Sequence, residues 1–294
     1  MGFPLESVPN VSEGRDADTI AAIGAAFASR ARLLDVHSDA DHNRSVFTLV
    51  AEDAELVESL LAGIAVAAAR LDLRDHEGVH PCIGAADVVP LVPLRPEDMG
   101  RAQAAALLLA RRVGEELGLP VFLYGELAPG HGPAFFRRGG REELQRRLDV
   151  GELAPDFGPP RLDERAGGVL VGARRPLIAF NVNLRTQDVE VARAVAAVVR
   201  ETGGGFPGLR ALGLVLPRAG LVQVSMNVED HERAPLHEIV ARIEAEAAAH
   251  GVEVAGSELV GMLPAAAALP AAAAALRLAA LDPSRVLELR LLES

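Results

Sequence analysis

Hydrophobic and polar positions along the chain predict a first block of alternating strands and helices. In order, this block predicts a strand over 7–14, a helix over 16–31, strands over 32–36 and 44–50, a helix over 53–71 and a strand over 85–94. A helix over 96–117 and a strand over 120–127 extend it. The order β-α-β-β-α-β is that of the ferredoxin-like unit.

The same order then restarts. The second block predicts a strand over 177–184, a helix over 186–202, a hairpin of strands over 209–216 and 220–228, a helix over 234–251 and a strand over 256–264. We therefore predict an α+β fold, an α/β sandwich of two related ferredoxin-like subdomains, over 1–178 and 179–294. The stretch 155–168, rich in Pro, Gly and charge, is the loop expected between the blocks.

Two strands of the second block carry a polar face. The alternation places Asn181 and Asn183 on one side of their strand, and Gln223, Ser225 and Asn227 on one side of theirs. A solvated face of an antiparallel sheet explains this pattern. A ligand groove between the subdomains explains it equally well.

Composition narrows the class of protein. Half of the 294 residues are hydrophobic, which is enough for a sizeable core. The formal net charge of −12 argues against nucleic-acid binding, since phosphate contacts need a basic face. A single cysteine excludes an internal disulfide, and the start of the chain has no signal-peptide pattern, so we expect a cytoplasmic protein. The uncharged run 259–276 is interrupted by prolines, and we predict a buried helix there rather than a membrane span.

Candidate proton-transfer chemistry is concentrated in the stretch 75–94. His80 precedes Pro81, which holds its backbone extended, and it lies just ahead of an apolar strand. An imidazole titrates near neutrality and can accept and return a proton, although a lone histidine in such a place is more often structural. Cys82 is interpreted as an ordinary half-buried thiol, because no oxyanion-hole signature accompanies it.

The stretch 37–44, "HSDADHNR", contains several groups that could bind a metal ion. Its order does not match a calcium loop, which needs a glycine and a distant glutamate. We interpret it as a polar loop in which Asp39 and Asn43 form hydrogen bonds and Arg44 is available for a carboxylate. The alternative for Arg44 is a surface ion pair with Asp39 or Asp41.

Several of these segments resemble the glutamate formimidoyltransferase family. In chain order, the similar segments are "VPNVSEGRD", "DHNRSVFTLV", "GVHPCIGAADVVPLVP", "PVFLYGE", "PDFGP", "VGARRPLIAFNVNL", "QVSMN" and "GSELVGMLP". The resemblance covers nearly the whole chain. It implies two related α/β subdomains with a folate groove between them.

The resemblance also implies a reaction. Members of the family transfer the formimidoyl group from N-formimidoyl-L-glutamate to tetrahydrofolate in histidine degradation, a step of one-carbon metabolism. His80 matches the family's catalytic histidine and would act as general acid and base. The family's folate-binding segment corresponds here to Gly158, Pro159, Pro160, Arg161, Leu162, Asp163, Glu164, Arg165, Ala166 and Gly167.

Substrate contacts are expected from seven further residues. They are Asn10, Asp39, Asn43, Arg44, Arg174, Asn181 and Asn183. Asp39 would hold the cationic amidinium, whereas Arg44 and Arg174 would bind glutamyl carboxylates. Tetrahydrofolate would be the co-substrate, and no metal is needed.

Two alternatives to this function remain open at this stage. The first is a folate-dependent glutamate formyltransferase that uses the same fold and histidine. The second is a non-catalytic folate-binding partner of a cyclodeaminase. For the enzyme itself we expect a homodimer that works with a separate formimidoyltetrahydrofolate cyclodeaminase, and no nucleic-acid or membrane partner.

Overall fold

The chain divides into two compact units. A computed structural model describes residues 3–292. Residues 1 and 2 of the first predicted subdomain and residues 293 and 294 of the second lie outside the described part. The division falls after Pro176, close to the boundary expected after residue 178. Each unit contains its own sheet, helices and core.

Unit 1 contains seven strands and five helices within the described residues. The strands are β1 (Leu5–Ser7), β2 (Asn10–Val11), β3 (Arg32–Asp39), β4 (Arg44–Ala51), β5 (Ala86–Pro93), β6 (Val121–Gly125) and β7 (Val169–Ala173). The helices are α1 (Ala17–Phe27), α2 (Asp53–Arg70), α3 (Met99–Glu116), α4 (Pro133–Arg137) and α5 (Gly140–Asp149). A short 3-10 turn at Pro96–Asp98 leads into α3.

The sheet of unit 1 is a ferredoxin-like sheet with two added strands. β3 pairs with β4, and β4 pairs with β1 and β2, which in turn pair with β5, all antiparallel. β7 then pairs parallel with β5, and β6 parallel with β7. The predicted strand over 7–14 is wrong in detail, because it is split at Val8 and Pro9, and a proline has no N–H to give to a sheet.

Helices cover both sides of this sheet at its parallel end. On one side α1, α2 and α3 enclose the main core, and α1 starts at Asp16, whose side chain accepts from the Asp18 amide. On the other side of the sheet, Phe136 of α4 and Leu144 of α5 pack against Phe122 of β6 and Leu170 of β7. Burial on both sides accounts for the continuously apolar strand predicted at β5.

Unit 2 repeats the ferredoxin-like order and confirms the predicted fold class. Its described elements are β8 (Ile178–Leu184), α6 (Val189–Val199), β9 (Leu209–Leu216), β10 (Leu221–Val228), α7 (Leu236–Ala249), β11 (Val254–Val260), α8 (Ala265–Leu276) and α9 (Leu287–Leu292). The strand order is β11-β8-β10-β9, with every pairing antiparallel. One side of the sheet packs against α6 and α7.

The alanine-rich run near the end of the chain is helical but mostly not buried. α8 begins after Pro264, includes Pro270 and buries only Ala267 and Ala273. The prediction of a buried helix is therefore wrong for most of its length, because alanine favours a helix without needing deep packing. Within the described residues, no helix is both long and apolar enough to cross a membrane.

Candidate functional site

Residues 75–85, called here the histidine loop, run up to the start of β5. The loop is fixed at several backbone positions: the Val79 amide donates to the Asp41 carbonyl at 3.1 Å, and the Ala85 amide donates to the Ala166 carbonyl at 2.8 Å. The Ser12 amide donates to the Ala85 carbonyl at 2.9 Å. His80 is therefore mounted on a loop held by three separate segments.

Both ring nitrogens of His80 have a partner. Nη1 of Arg44 lies 2.6 Å from Nε2, and Nδ1 lies 2.9 Å from the carbonyl oxygen of Pro81. A guanidinium can only donate and a carbonyl can only accept, so Nε2 carries the lone pair and Nδ1 the hydrogen. This fixes His80 as the neutral Nδ1–H tautomer, with Nε2 as the basic atom.

The surroundings of His80 disfavour its charged form. Burial, followed by the nearby Arg44, Arg137 and His42, holds the pKa of His80 well below 6.5. The rings of His42 and His80 lie 5.9 Å apart between centroids. At neutral pH the imidazole is therefore unprotonated, the state that a general base requires.

Arg44 is the first residue of β4. Phe47 and Leu49 of that strand pack in the core with α1 to α3, so Arg44 projects to the opposite side. Burial and the nearby Arg137 lower the pKa of Arg44 to about 10, and its buried Nε has no hydrogen-bond partner. The side chain donates to His80 instead of forming the surface ion pair that was the sequence-based alternative.

Asp87 and Arg137 form an ion pair beside these residues. Asp87 sits at a β-bulge, where the pairing of β2 with β5 shifts register between Asn10 and Val11. Its Oδ1 accepts from the Ile83 amide at 2.7 Å, and Oδ2 accepts from Arg137 of α4. Sequence analysis missed both residues. A lone acid in an otherwise apolar buried strand was a signal for Asp87, whereas Arg137 had none.

Cys82 is the free thiol of the histidine loop. It is half-buried, as predicted, and burial raises the pKa of the thiol. A protonated thiol is a poor nucleophile. The environment therefore supports the interpretation of Cys82 as a packing residue.

Asn43 and Asp39 hold the turn between β3 and β4. Asn43 adopts a left-handed backbone (φ 47°), its Oδ1 accepts from the Gly14 amide at 3.0 Å and its Nδ2 donates to the Glu77 carbonyl at 3.0 Å. Oδ1 of Asp39 accepts from the His42 amide at 2.6 Å. Asp39 ends β3, so the loop predicted from residue 37 starts later than expected.

Asn10 and Arg174 also belong to the sheet region of unit 1. Asn10 in β2 pairs in register with Val46 and Val88, and its Nδ2 donates to the Val8 carbonyl at 2.7 Å. Arg174 follows β7. Burial raises the pKa of Glu6, and the positive charge of Arg174 partly offsets that rise. Sequence analysis did not single out Glu6.

The predicted folate segment, 158–167, forms a compact turn built on Asp163. Oδ1 of Asp163 accepts from the amides of Arg165 and Ala166 at 2.9 and 2.7 Å, and its backbone exchanges two hydrogen bonds with Gly167. Ala166 and Gly167 are buried, whereas the other residues of the segment, apart from the half-buried Leu162, are exposed.

This segment runs beside the histidine loop. Gly167 bridges Gly84, and the Gly168 amide donates to the Ile83 carbonyl at 3.0 Å. A Cβ on Gly167 would lie 2.1 Å from the Ile83 oxygen, and a Cβ on Gly84 would lie 1.8 Å from the Gly168 oxygen. The close approach of the two backbones therefore requires glycine at both positions.

Unit 2 carries the polar face that the alternation predicted. Asn181, Asn183 and Gln223 share that side of the sheet with Glu258. Nε2 of Gln223 donates to Oδ1 of Asn183 at 2.9 Å, and Nδ2 of Asn181 donates to Oε2 of Glu258 at 3.2 Å. Asn181 and Gln223 are buried, Asn183 and Ser225 are half-buried, and Asn227 is exposed.

Two family profiles match the chain and together cover most of it. The profile described as "Formiminotransferase domain, N-terminal subdomain" matches residues 4–174. The profile described as "Formiminotransferase domain" matches residues 179–280. The chain belongs to the formiminotransferase family. The two formiminotransferase matches correspond to the two units.

Full-length relatives of this formiminotransferase chain carry consistent names. It is 39% identical to the glutamate formimidoyltransferase of Thermoplasma acidophilum, over 97% of this chain and 96% of that protein. It is 38% identical to the glutamate formimidoyltransferase of Streptococcus pyogenes serotype M1, over 92% and 93%. It is also 39% identical to the formimidoyltransferase-cyclodeaminase of Gallus gallus, over 92% of this chain and 52% of that longer protein.

Proposed function

We propose that this protein transfers the formimidoyl group from N-formimidoyl-L-glutamate to tetrahydrofolate, giving 5-formimidoyltetrahydrofolate and L-glutamate. The names of relatives that align over nearly their whole length support the reaction. The observation that carries the chemistry is the pair of hydrogen bonds at His80, from Arg44 and to the Pro81 carbonyl, which makes Nε2 the basic atom.

His80 moves one proton in this proposal. The secondary amine at position 5 of tetrahydrofolate attacks the formimidoyl carbon, and a new C–N bond forms in a tetrahedral adduct. Nε2 of His80 takes the proton from the attacking nitrogen and gives it to the glutamate nitrogen as the old C–N bond breaks. Protons and bonds balance, and the imidazole ends neutral.

The remaining assignments concern binding. The segment 158–167 binds tetrahydrofolate, and Arg44 and Arg174 bind glutamyl carboxylates, for which a planar guanidinium is suited. Asp39 holds the amidinium of the donor. The polar residues Asn10, Asn43, Asn181 and Asn183 complete the proposed contacts. Within residues 3–292, no group of three or more His, Cys, Asp or Glu side chains is arranged to hold a metal ion.

A transfer assay tests this function. Purified protein receives tetrahydrofolate with either formimidoylglutamate or formylglutamate, and His80→Ala serves as the inactive control. Faster transfer from the formimidoyl donor supports the proposal. Faster transfer from the formyl donor would favour a formyltransferase, and no transfer from a folded protein that binds tetrahydrofolate would favour a non-catalytic folate-binding partner.

The longer relatives suggest an enzyme that acts on the product. Relatives such as the Gallus gallus protein are named for both a formimidoyltransferase and a cyclodeaminase. We propose that a separate cyclodeaminase acts on the product of this chain in the cytoplasm, and that the transferase is a homodimer. Adding a purified cyclodeaminase to the assay should consume the product, and analytical ultracentrifugation tests the dimer.

A further inference from the structure

The basic atom of the proposed catalytic histidine is covered by a cation. Nε2 of His80 already accepts from Nη1 of Arg44 at 2.6 Å. A lone pair held in a charge-assisted hydrogen bond cannot take a proton from a substrate until the donor leaves. In this arrangement His80 has the correct tautomer for a base, but Arg44 occupies the lone pair of Nε2 that would accept the proton.

Arg44 is itself poorly satisfied where it lies. Its Nε is buried without a partner, so part of the guanidinium has lost its hydration without replacement. The negative charge of Asp87 favours the charged form of Arg44, but the Asp87 oxygens already accept hydrogen bonds from Arg137 and from the Ile83 amide. A carboxylate that binds the Nε side of the fork would offer Arg44 two acceptors in place of one.

On the basis of the proposed function, we propose that Arg44 is a substrate-operated latch on His80. In the ligand-free protein its guanidinium occupies Nε2. A carboxylate of the glutamyl substrate binds Arg44 and draws it away, and the freed nitrogen then accepts the proton. Arg44 is thus a positioning residue that makes the base available only when the donor substrate is bound.

The electrostatic surroundings of His80 agree with such a device. Arg44 from β4, Arg137 from α4 and His42 from the β3–β4 turn all oppose a proton on the ring, and the Pro81 carbonyl favours it. Asp87, from β5, compensates Arg137. Binding a carboxylate to Arg44 both removes the donor from Nε2 and adds a negative charge nearby. Both changes raise the proton affinity of His80.

Nitrogen-15 NMR of the histidine side chains in the full-length protein tests the latch. The His80 signals are assigned from the spectrum of His80→Gln and followed from pH 8 to pH 5, with saturating L-glutamate or with sodium chloride at matched ionic strength. We expect L-glutamate to raise the midpoint of His80 by about one pH unit or more, the usual effect of a nearby charge.

Three substitutions separate the latch from a general charge effect. Arg44→Gln removes the guanidinium and its positive charge and leaves a shorter, neutral amide, so His80 should titrate higher without ligand and respond little to L-glutamate. Arg15→Gln removes a positive charge from an exposed side chain that donates to the Ala40 carbonyl, so it should behave as the unmodified protein. Arg44→Lys retains the charge but not the fork, and should restore only part of the response.

The outcomes distinguish the latch from the proposed reaction. The latch is overturned if L-glutamate does not move the His80 midpoint, whether or not other signals shift, or if Arg44→Gln titrates like the unmodified protein. These measurements need no turnover. An intact response in a protein that transfers no formimidoyl group would leave the latch standing and refute the reaction instead.

Discussion

Asp87 and Arg137 form an ion pair that is almost entirely enclosed. The Asp87 side chain is 3% exposed and that of Arg137 is 13% exposed. The pair joins β5 to α4, and the carboxylate of Asp87 is a negative charge that acts on the nearby Arg44. Asp87 therefore stabilises the charged forms of both Arg137 and Arg44.

Replacing that carboxylate should destabilise the protein. Asp87→Asn leaves Arg137 buried without a counter-charge, and breaking such a pair typically costs about 3–5 kcal/mol. Urea denaturation monitored by circular dichroism measures the free energy of unfolding. The control is Glu143→Gln, which breaks an exposed pair with Arg146 and should change stability little. Equal effects of the two substitutions would contradict the importance of the buried pair.

Formimidoyl transfer should depend on His80 and not on Cys82. His80→Ala should lower turnover by roughly a hundredfold or more, the usual contribution of a placed acid–base group. Cys82→Ser should retain most activity, because the thiol is held protonated and has no covalent role. Steady-state kinetics measures both. A folded but inactive Cys82→Ser protein would refute the assignment.

Arg44→Lys should raise the Michaelis constant for formimidoylglutamate while leaving the fold intact. The substitution keeps the positive charge but loses the planar fork that binds a carboxylate with two hydrogen bonds. Kinetics with each substrate varied in turn, together with a melting curve, test this expectation. Arg15→Lys, at an exposed position, is the matched control. Unchanged kinetics in Arg44→Lys would leave the substrate carboxylate to another group.

Stability should fall as the pH drops below about 6.5. The pKa values of His80 and His76 are both lowered, chiefly by burial, so below 6.5 the unfolded chain binds protons that the folded protein does not. Each group contributes a slope of at most about 1.4 kcal/mol per pH unit. Urea titrations at pH 7.5, 6.5 and 5.5 measure it. His80→Gln should reduce the slope, and an identical slope would show that His80 is not held neutral.

Gly167→Ala should weaken tetrahydrofolate binding by the proposed folate segment, and lower stability, more than a comparable glycine substitution elsewhere. Gly167 has a φ of 72°, and an added Cβ would meet the Ile83 oxygen. Gly118 also has a positive φ, 65°, but no atom lies within 4 Å of its Cβ position. Gly118→Ala should therefore lower the free energy of unfolding only by the backbone strain of a left-handed alanine, about 1–2 kcal/mol. Tetrahydrofolate titration and melting curves should show the larger loss for Gly167→Ala.

The sequence predicts the repeated elements well because they are long and strongly periodic. The helix capped by Asp16 and the hairpin of β9 and β10 are at their expected places. The prediction missed α4, α5 and β7. The two helices are short, and β7 is a five-residue apolar run whose partners lie far away in sequence.

The site is only partly predictable for the same reason. His80 and Arg44 were each singled out, but their hydrogen bond depends on how the histidine loop packs beside β4, across a separation of 36 residues. Arg137 comes from α4, which the pattern did not reveal. Periodicity indicates which residues face a core, whereas contacts between polar side chains follow from the tertiary arrangement.

The position of β7 determines which strands of unit 1 can pair while the chain is still being synthesised. β7 is the last strand of unit 1 in the chain, yet it lies between β5 and β6. Until residue 173 has left the ribosome, β5 has an open edge and β6 lacks its parallel neighbour. Because the amides of Ala85 and Gly168 pair across this same junction, the loop that carries His80 gains its final backbone partners only then. A nascent chain that stalls earlier presents an unpaired apolar strand, the kind of surface that recruits chaperones or aggregates.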